Sequence, residues 1–263
     1  MANPHGTPIW YELITPDPDA AKSFYDPLAG WTIDARPSGE IDYRMIAATD
    51  GNVGGVMRLS PDMATHGAQP GWLLYIGVDD VDATCTQAQA LGAGVLVPPN
   101  DIPNVGRFAF LTDPQGAPFY IMRGASGDSS GAFAPGVLGH CSWNELWTSD
   151  APAALAFYGQ LFGWENNETM DMGPMGGYHF LDLGDVRLGA LAQSQQAGQP
   201  ARWNAYFTIA DVDAAVERIA ASGGAVTMGP HDVPGGSRIV MGTDPQGAAF
   251  ALVSGTGHEG ERP

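Results

Sequence analysis

An internal repeat constrains this chain more than any other feature. The stretch Trp10-Tyr11-Glu12-Leu13-Ile14-Thr15-Pro16-Asp17, running on through Phe24-Tyr25 to Gly30-Trp31, returns as Trp143-Asn144-Glu145-Leu146-Trp147-Thr148-Ser149-Asp150, then Phe157-Tyr158 and Gly163-Trp164. Laid on each other without a gap, residues 10–31 and 143–164 agree at 12 of 22 positions, far beyond chance. One structural unit is therefore built twice, and every assignment has to hold at both places. The 263 residues divide into a first module over 1–123, a Gly/Ser-rich linker over 124–136, and a second module over 137–263 that ends in a short polar tail.

Both copies carry the same order of local signals. Ile9 to Thr15 alternates Trp10, Glu12 and Ile14 with Tyr11 and Leu13, the period of a strand. Asp17 can then cap a helix with Pro18 at its first position, and Ala21, Phe24, Tyr25 and Leu28 recur at helical spacing until Gly30 stops it. Copy two repeats this from Asp150 to Gly163. Short strands follow at Tyr43 to Ala48 and Val53 to Leu59, matched by Tyr178 to Leu183 and Val186 to Leu191. A second strand and helix begin at Leu73 and at Ala205, with Asp80 and Asp211 before the helices. After Pro99 and Pro230 each copy closes with a hairpin around Thr-Asp-Pro-Gln-Gly, at 112–116 and 243–247. Each copy thus reads βαβββ twice, an α+β fold with mixed, curved, cup-forming sheets and helices on the outer face. Leu13, Leu146, Phe24 and Phe157 are expected in the core.

Composition narrows the partners. A formal charge of -18 repels phosphate backbones and anionic membrane surfaces, so neither nucleic acid nor a membrane is expected. The first residues lack a basic segment followed by an apolar one, and nowhere do 18 apolar residues run together, so a cytoplasmic protein, monomer or homodimer, is expected. Cys85 and Cys141 fall at unrelated places in the copies, which suits reduced thiols better than a disulfide. No phosphate-binding loop, dinucleotide fingerprint, Cys-x-x-Cys pair or nucleophile elbow is present, so no nucleotide cofactor is indicated and none of any kind is assigned.

A strand, an Asp-capped helix with Phe-Tyr, a Gly-Trp exit and a closing Asp-Pro-x-Gly hairpin resemble the vicinal oxygen chelate superfamily of glyoxalases, bleomycin-resistance proteins and extradiol dioxygenases. Trp-x-Glu-Leu and Gly-Trp in tandem modules look most like bacterial two-module glyoxalase-like proteins. The resemblance implies a frame that hosts isomerases, lyases, dioxygenases and non-catalytic drug binders, so activity has to be argued from the site. It also implies where metal ligands would stand. Those places hold Trp10 and Trp143 on the first strands, Leu73 and Asn204 before the second helices, and Tyr120 and Ala251 four residues beyond the hairpin glycines. Metal sites of the family want His, Glu or Gln there, so the usual metal site is expected to be absent. Chemistry that needs a metal to hold vicinal oxygens is put in doubt with it.

If Trp10 and Trp143 face inward, alternation sends Glu12, Ile14, Glu145 and Trp147 into the same cups. Glu12 and Glu145 are candidate general bases. Alternatively they are structural carboxylates, bonded to backbone amides or paired with Arg107 or Arg238. Tyr75 and Tyr206 share a strand face with Leu73 and Asn204 and are either ligand-facing phenols or plain core aromatics. His179 has Arg44 at the matching place, an asymmetry that a single working site would produce; alternatively it is a satisfied or solvent-facing histidine. His140 lies beside a strand, and His5, His66, His231 and His258 fall in loops or tails. The methionines 170, 172 and 175 suggest either an apolar covering loop or an exposed turn. Two readings follow: a glyoxalase-like isomerase or lyase acting on an oxygenated or aromatic metabolite, or a protein that only sequesters one among aromatic walls. Because Asn204 and Ala251 replace Leu73 and Tyr120, the cavity containing Asn204, Tyr206 and Ala251 is expected to be roomier and to be the working one.

Overall fold

The structure, a computed structural model, describes residues 2–37, 39–196 and 198–255. The polar tail with His258 lies outside the described residues. Copy one comprises β1 (Pro8–Thr15), α1 (Pro18–Ala29), β2 (Thr32–Ile33), β3 (Tyr43–Ala47), β4 (Asn52–Arg58), a short α2 (Pro61–Thr65), β5 (Gly71–Gly77), α3 (Val81–Ala90), β6 (Gly94–Ile102), β7 (Gly106–Thr112) and β8 (Pro118–Gly124). Copy two comprises β9 (Cys141–Thr148), α4 (Ala151–Phe162), β10 (Thr169–Asp171), β11 (Gly177–Leu183), β12 (Val186–Gln193), β13 (Arg202–Thr208), α5 (Val212–Ala221), β14 (Ala225–Val233), β15 (Ser237–Thr243) and β16 (Ala249–Ser254). The fold is α+β, with βαβββ read twice in each copy. Two eight-stranded mixed sheets result, in the orders β2-β3-β4-β1-β5-β8-β7-β6 and β10-β11-β12-β9-β13-β16-β15-β14. Within them β1 with β4, β5 with β8, β9 with β12 and β13 with β16 run parallel.

Local chemistry explains the elements. Asp17 accepts hydrogen bonds from the backbone N–H of Asp19 and Ala20, and Asp150 from that of Ala153. These bonds satisfy donors that a helix start leaves orphaned. Leu13, Leu146, Phe24 and Phe157 are all buried. The sequence reading set no bounds for β6 and β14, which begin ahead of their prolines and run through Pro98, Pro99 and Pro230. Both are end strands of their sheets, where a residue without an N–H removes no ladder bond on the open side.

Packing groups the elements by halves of copies. One compact unit gathers Met1–Ile9, Leu73–Ser130 and Asn144–Trp203. In it α3 packs on α4, and Asp113 of the β7–β8 turn accepts from the backbone N–H of Gln115 and Ala117 at 2.9 and 2.8 Å. Its other oxygen accepts the Tyr158 hydroxyl at 3.1 Å, and Trp203 Nε1 donates to that hydroxyl at 3.0 Å. The second unit gathers Trp10–Trp72, Gly131–Trp143 and Asn204–Pro263 and repeats the device. There α1 packs on α5, Asp244 accepts from the N–H of Gln246 and Ala248 and from the Tyr25 hydroxyl at 3.1 Å, and Trp72 Nε1 donates to Tyr25 at 3.2 Å. The tyrosine of Phe-Tyr in one copy is thus bonded to the turn aspartate of the other. Burial pushes the Asp113 and Asp244 carboxyls above the usual carboxylate range, against the pull of the turn amides and the tyrosine hydroxyl.

The Gly-Trp exits act in the same way. Trp164 Nε1 donates to Gly6 O at 2.8 Å in the first unit, and Trp31 Nε1 to Gly139 O at 2.7 Å in the second. Gly6 and Gly139 have φ of 88° and 80°, and a Cβ on Gly6 would lie 2.7 Å from Phe162 O, so neither place tolerates a side chain. The linker is anchored: Asn3 and Ser130 exchange two hydrogen bonds, and Ala132 is buried.

Candidate functional site

In the unit that contains most of β9, strand register assembles one face around Glu145. Glu145 stands opposite Ala190 of β12, and Ala190 opposite Phe180 of β11. One rung on, Trp147, Ala192, Tyr178 and Met170 line up across β9, β12, β11 and β10. Register partners share a face, so these side chains stand together. The Tyr178 hydroxyl donates to Glu145 Oε1 at 2.8 Å, and Trp147 Nε1 donates to Oε2 at 2.6 Å. The carboxylate is 6% exposed and receives a donor on each oxygen, while the small Ala190 and Ala192 keep the surface beside it low. Met170 joins this face, whereas Met175 closes a single helical turn and is exposed.

Tyr178 was not among the expected site residues, although its recurrence as Tyr43 was a usable signal. His179, which was, faces the other way: its Nδ1 lies 3.0 Å from Thr169 Oγ1, the side chain opposite it on β10. Alternation along β11 requires this once Tyr178 points at Glu145.

In the other unit Glu12 is 2% exposed and stands opposite Gly55 of β4, which faces Met45 of β3. Ile14, Met57 and Tyr43 form the next rung. The matching tyrosine ends differently here, with Trp10 Nε1 donating to the Tyr43 hydroxyl at 2.8 Å. A Cβ on Gly55 would come within 2.1 Å of that oxygen, so the phenol lies across the strand where copy two carries Ala190.

The remaining candidates divide between the same units. Tyr75, Tyr120 and Phe110 form one rung of β5, β8 and β7, stacked at 4.1 and 4.2 Å between ring centres. The corresponding rung in the other unit is Tyr206, Ala251 and Met241. Trp143 packs against it, and the Tyr206 hydroxyl is turned to Met241 Sδ at 3.6 Å. Ala251 is fully buried, and Trp143, Ile239 and Val253 pack against the cluster it forms with Tyr206 and Met241, the counterpart of Phe110. Asn204 is 8% exposed, and its Nδ2 has no hydrogen-bond partner.

Pairing of Glu12 or Glu145 with the hairpin arginines also does not occur. Arg107 is held by Asp82 at 2.7 and 2.8 Å and by Asp101 at 3.0 Å. Arg238 is held by Asp213 and by Asp232 in the same manner. Each arginine stands opposite its second aspartate in the hairpin register and close to the first turn of the preceding helix, so the nearest carboxylates are exposed ones.

Whether this chain fits a metal is decided by donor chemistry. The places implied for ligands carry two indoles, a leucine, an alanine, a phenol and an amide, and an indole offers only an N–H. Among the described residues no three His, Cys, Asp or Glu side chains come close enough together to hold an ion. His140 is engaged by Gly131 O at 2.6 Å and Asp50 Oδ1 at 2.7 Å. These residues do not fit a metal held in the manner the resemblance implies. Nor is either cysteine poised as a thiolate, since burial pushes the Cys141 thiol up to about 12 and raises that of Cys85. Among the described residues no helix is long and apolar enough to cross a membrane.

Comparison with known proteins agrees with this frame. The chain is 36% identical over 250 residues to "Putative glyoxylase CFP32" of Mycobacterium tuberculosis, covering 94% of each chain. It is 32% identical over 266 residues to "Anthracycline biosynthesis protein DnrV" of Streptomyces peucetius, covering 94% of this chain and 93% of that one. Among solved structures, the Mn(II)-bound glyoxalase from Novosphingobium aromaticivorans shares the fold with a TM-score of 0.66 at 19% identity, over 95% of this chain and 82% of that one. A family model matches residues 8–121 and again 137–252. The protein therefore belongs to the Glyoxalase/Bleomycin resistance protein/Dioxygenase superfamily, with one module in each half of the chain.

Proposed function

We propose that this protein is a glyoxalase-like enzyme acting on an oxygenated aromatic small molecule, with Glu145 or Glu12 moving the proton and no metal at the family's ligand positions. The observation that carries the reading is Glu145, a buried carboxylate aimed by Tyr178 and Trp147 beside two alanines. Those two donors fix its orientation, so a C–H or O–H brought onto the same face would meet an acceptor that needs no rearrangement. Trp147, Tyr178 and Phe180 offer ring surface for a flat substrate. The named relatives, "Putative glyoxylase CFP32" and "Anthracycline biosynthesis protein DnrV", support action on a small molecule.

A second reading, sequestration without turnover, is favoured by the same two bonds, because a carboxylate already holding a donor on each oxygen also suits a fixed acceptor. Purified protein would be assayed with aromatic dicarbonyl and hydroxyketone compounds, following Trp fluorescence for binding and chromatography for turnover. Glu145→Gln should lower turnover by about 100-fold or more while leaving affinity within a few-fold. Binding without turnover in the wild type would establish sequestration, and a Glu12→Gln effect with none from Glu145→Gln would move the chemistry to the first copy.

A further inference from the structure

Asn204 presents a polar group that the fold neither uses nor needs. Its Nδ2 is buried and has no hydrogen-bond partner, which is rare for a buried amide and destabilises the folded chain. The frame itself accepts an apolar residue at this place, because the matching position in copy one is Leu73. By contrast, the buried Asn144 amide is satisfied, donating to Leu188 O at 3.0 Å. Alternation along β13 puts Asn204 on the face of Tyr206, whose own neighbours Ala251, Met241 and the partly buried Trp143 are apolar or aromatic.

From this we infer that Asn204 is a specificity-determining residue, whose N–H donates to a carbonyl oxygen on an aromatic ligand. The inference rests on the small-molecule reading above with Glu12, which lies in the same unit as Asn204, as the base, and narrows its substrate class to aryl ketones and quinones. A carbonyl is the complement because the amide nitrogen offers only donors, and the Tyr206 hydroxyl on the same face is turned to Met241 Sδ. Trp143, which covers the Tyr206–Met241–Ala251 cluster from a half-exposed position, turns outward to admit the ring and reports the event by its fluorescence. An unpartnered donor retained against its penalty discriminates more sharply than added apolar contact, since a ligand lacking the oxygen leaves that donor buried and unmet.

The test compares 1-tetralone with tetralin, which lacks only the oxygen, by fluorescence titration of the full chain. Wild type should bind the ketone about tenfold more tightly than the hydrocarbon. In Asn204→Leu, which installs the residue copy one already carries, that ratio should fall to about one while the melting temperature of the ligand-free protein rises. Asn204→Asp should abolish the ketone preference as well. Equal binding of both compounds by wild type, or an unchanged ratio in Asn204→Leu, would overturn the inference and leave the small-molecule reading standing. Binding of neither compound by wild type would overturn both.

Discussion

Removing the Tyr158 hydroxyl tests the contact that joins the two copies within one compact unit. In Tyr158→Phe the buried Asp113 loses the donor on Oδ2 and keeps only the turn amides on Oδ1, while Trp203 Nε1 loses its acceptor. A hydrogen bond to a buried carboxylate is worth about 1.5–3 kcal/mol, and an orphaned indole donor costs a further 1–3 kcal/mol before relaxation. We expect a net loss of about 3 kcal/mol, which for a chain of this length lowers the melting temperature by about 5 °C. The loss should depend on pH with a definite sign. Burial raises the Asp113 carboxyl in the folded state, so the folded protein takes up that proton at higher pH than the unfolded chain. The penalty for the charged form is therefore complete above the folded value and fades as pH falls through it. Without the hydroxyl, which pulls the carboxyl down, the folded value rises further. The destabilisation should then be largest near neutral pH and shrink on acidification without vanishing, because the indole remains unpaired. Thermal unfolding by circular dichroism across acid to neutral buffers reads this out. A shift under about 2 °C at neutral pH, or one that does not diminish in acid, would refute the argument, and Tyr25→Phe at the matching place should behave alike.

Other consequences follow from the same geometry. Arg107→Ala and Arg238→Ala remove exposed ion pairs only, so each should move the melting temperature by less than about 3 °C and leave ligand affinity unchanged in titrations. Gly55→Ala puts a methyl where the Tyr43 hydroxyl lies, so the Trp10–Tyr43 bond should break, with a changed near-ultraviolet dichroism spectrum and a loss of about 1–3 kcal/mol in denaturant unfolding. Dialysis against a chelator should leave both the melting temperature and ligand binding unaltered, and elemental analysis should find no stoichiometric transition metal. A chelator-dependent fall in either would mean that ligands come from residues other than those implied by the family.

The identities of the elements were legible because they depend on neighbours in the chain. The caps at Asp17 and Asp150, the helical spacing of Phe24 and Phe157 and the alternation through Glu12 and Glu145 are all short-range patterns, and each forms where it was read. That strands run through Pro99 and Pro230 was not legible, because whether a proline breaks a strand depends on whether another strand lies on its far side, a property of sheet order rather than of the segment. The family followed from motif spacing for the same local reason. The motifs' partners did not, since the Phe-Tyr tyrosine and the turn aspartate that accepts from it lie 45 residues apart in one unit and 219 in the other.

What the sequence determined by itself is that one α+β module is built twice and that its first strands carry tryptophan, Trp10 and Trp143, where the resemblance to the family would place metal ligands, with a glutamate two residues on. What only the tertiary structure decided is what each of those side chains touches. Tyr43 and Tyr178 are matched in sequence, yet one receives the indole of Trp10 and the other donates to Glu145. That choice is made beside Gly55 in one copy and Ala190 in the other, across a strand pairing that no local pattern encodes. Arg107, in chain terms a possible partner for a buried glutamate, is held by Asp82 and Asp101 instead. Close packing and charge pairing are settled by proximity in space, and proximity between distant segments appears only when the sheets have formed.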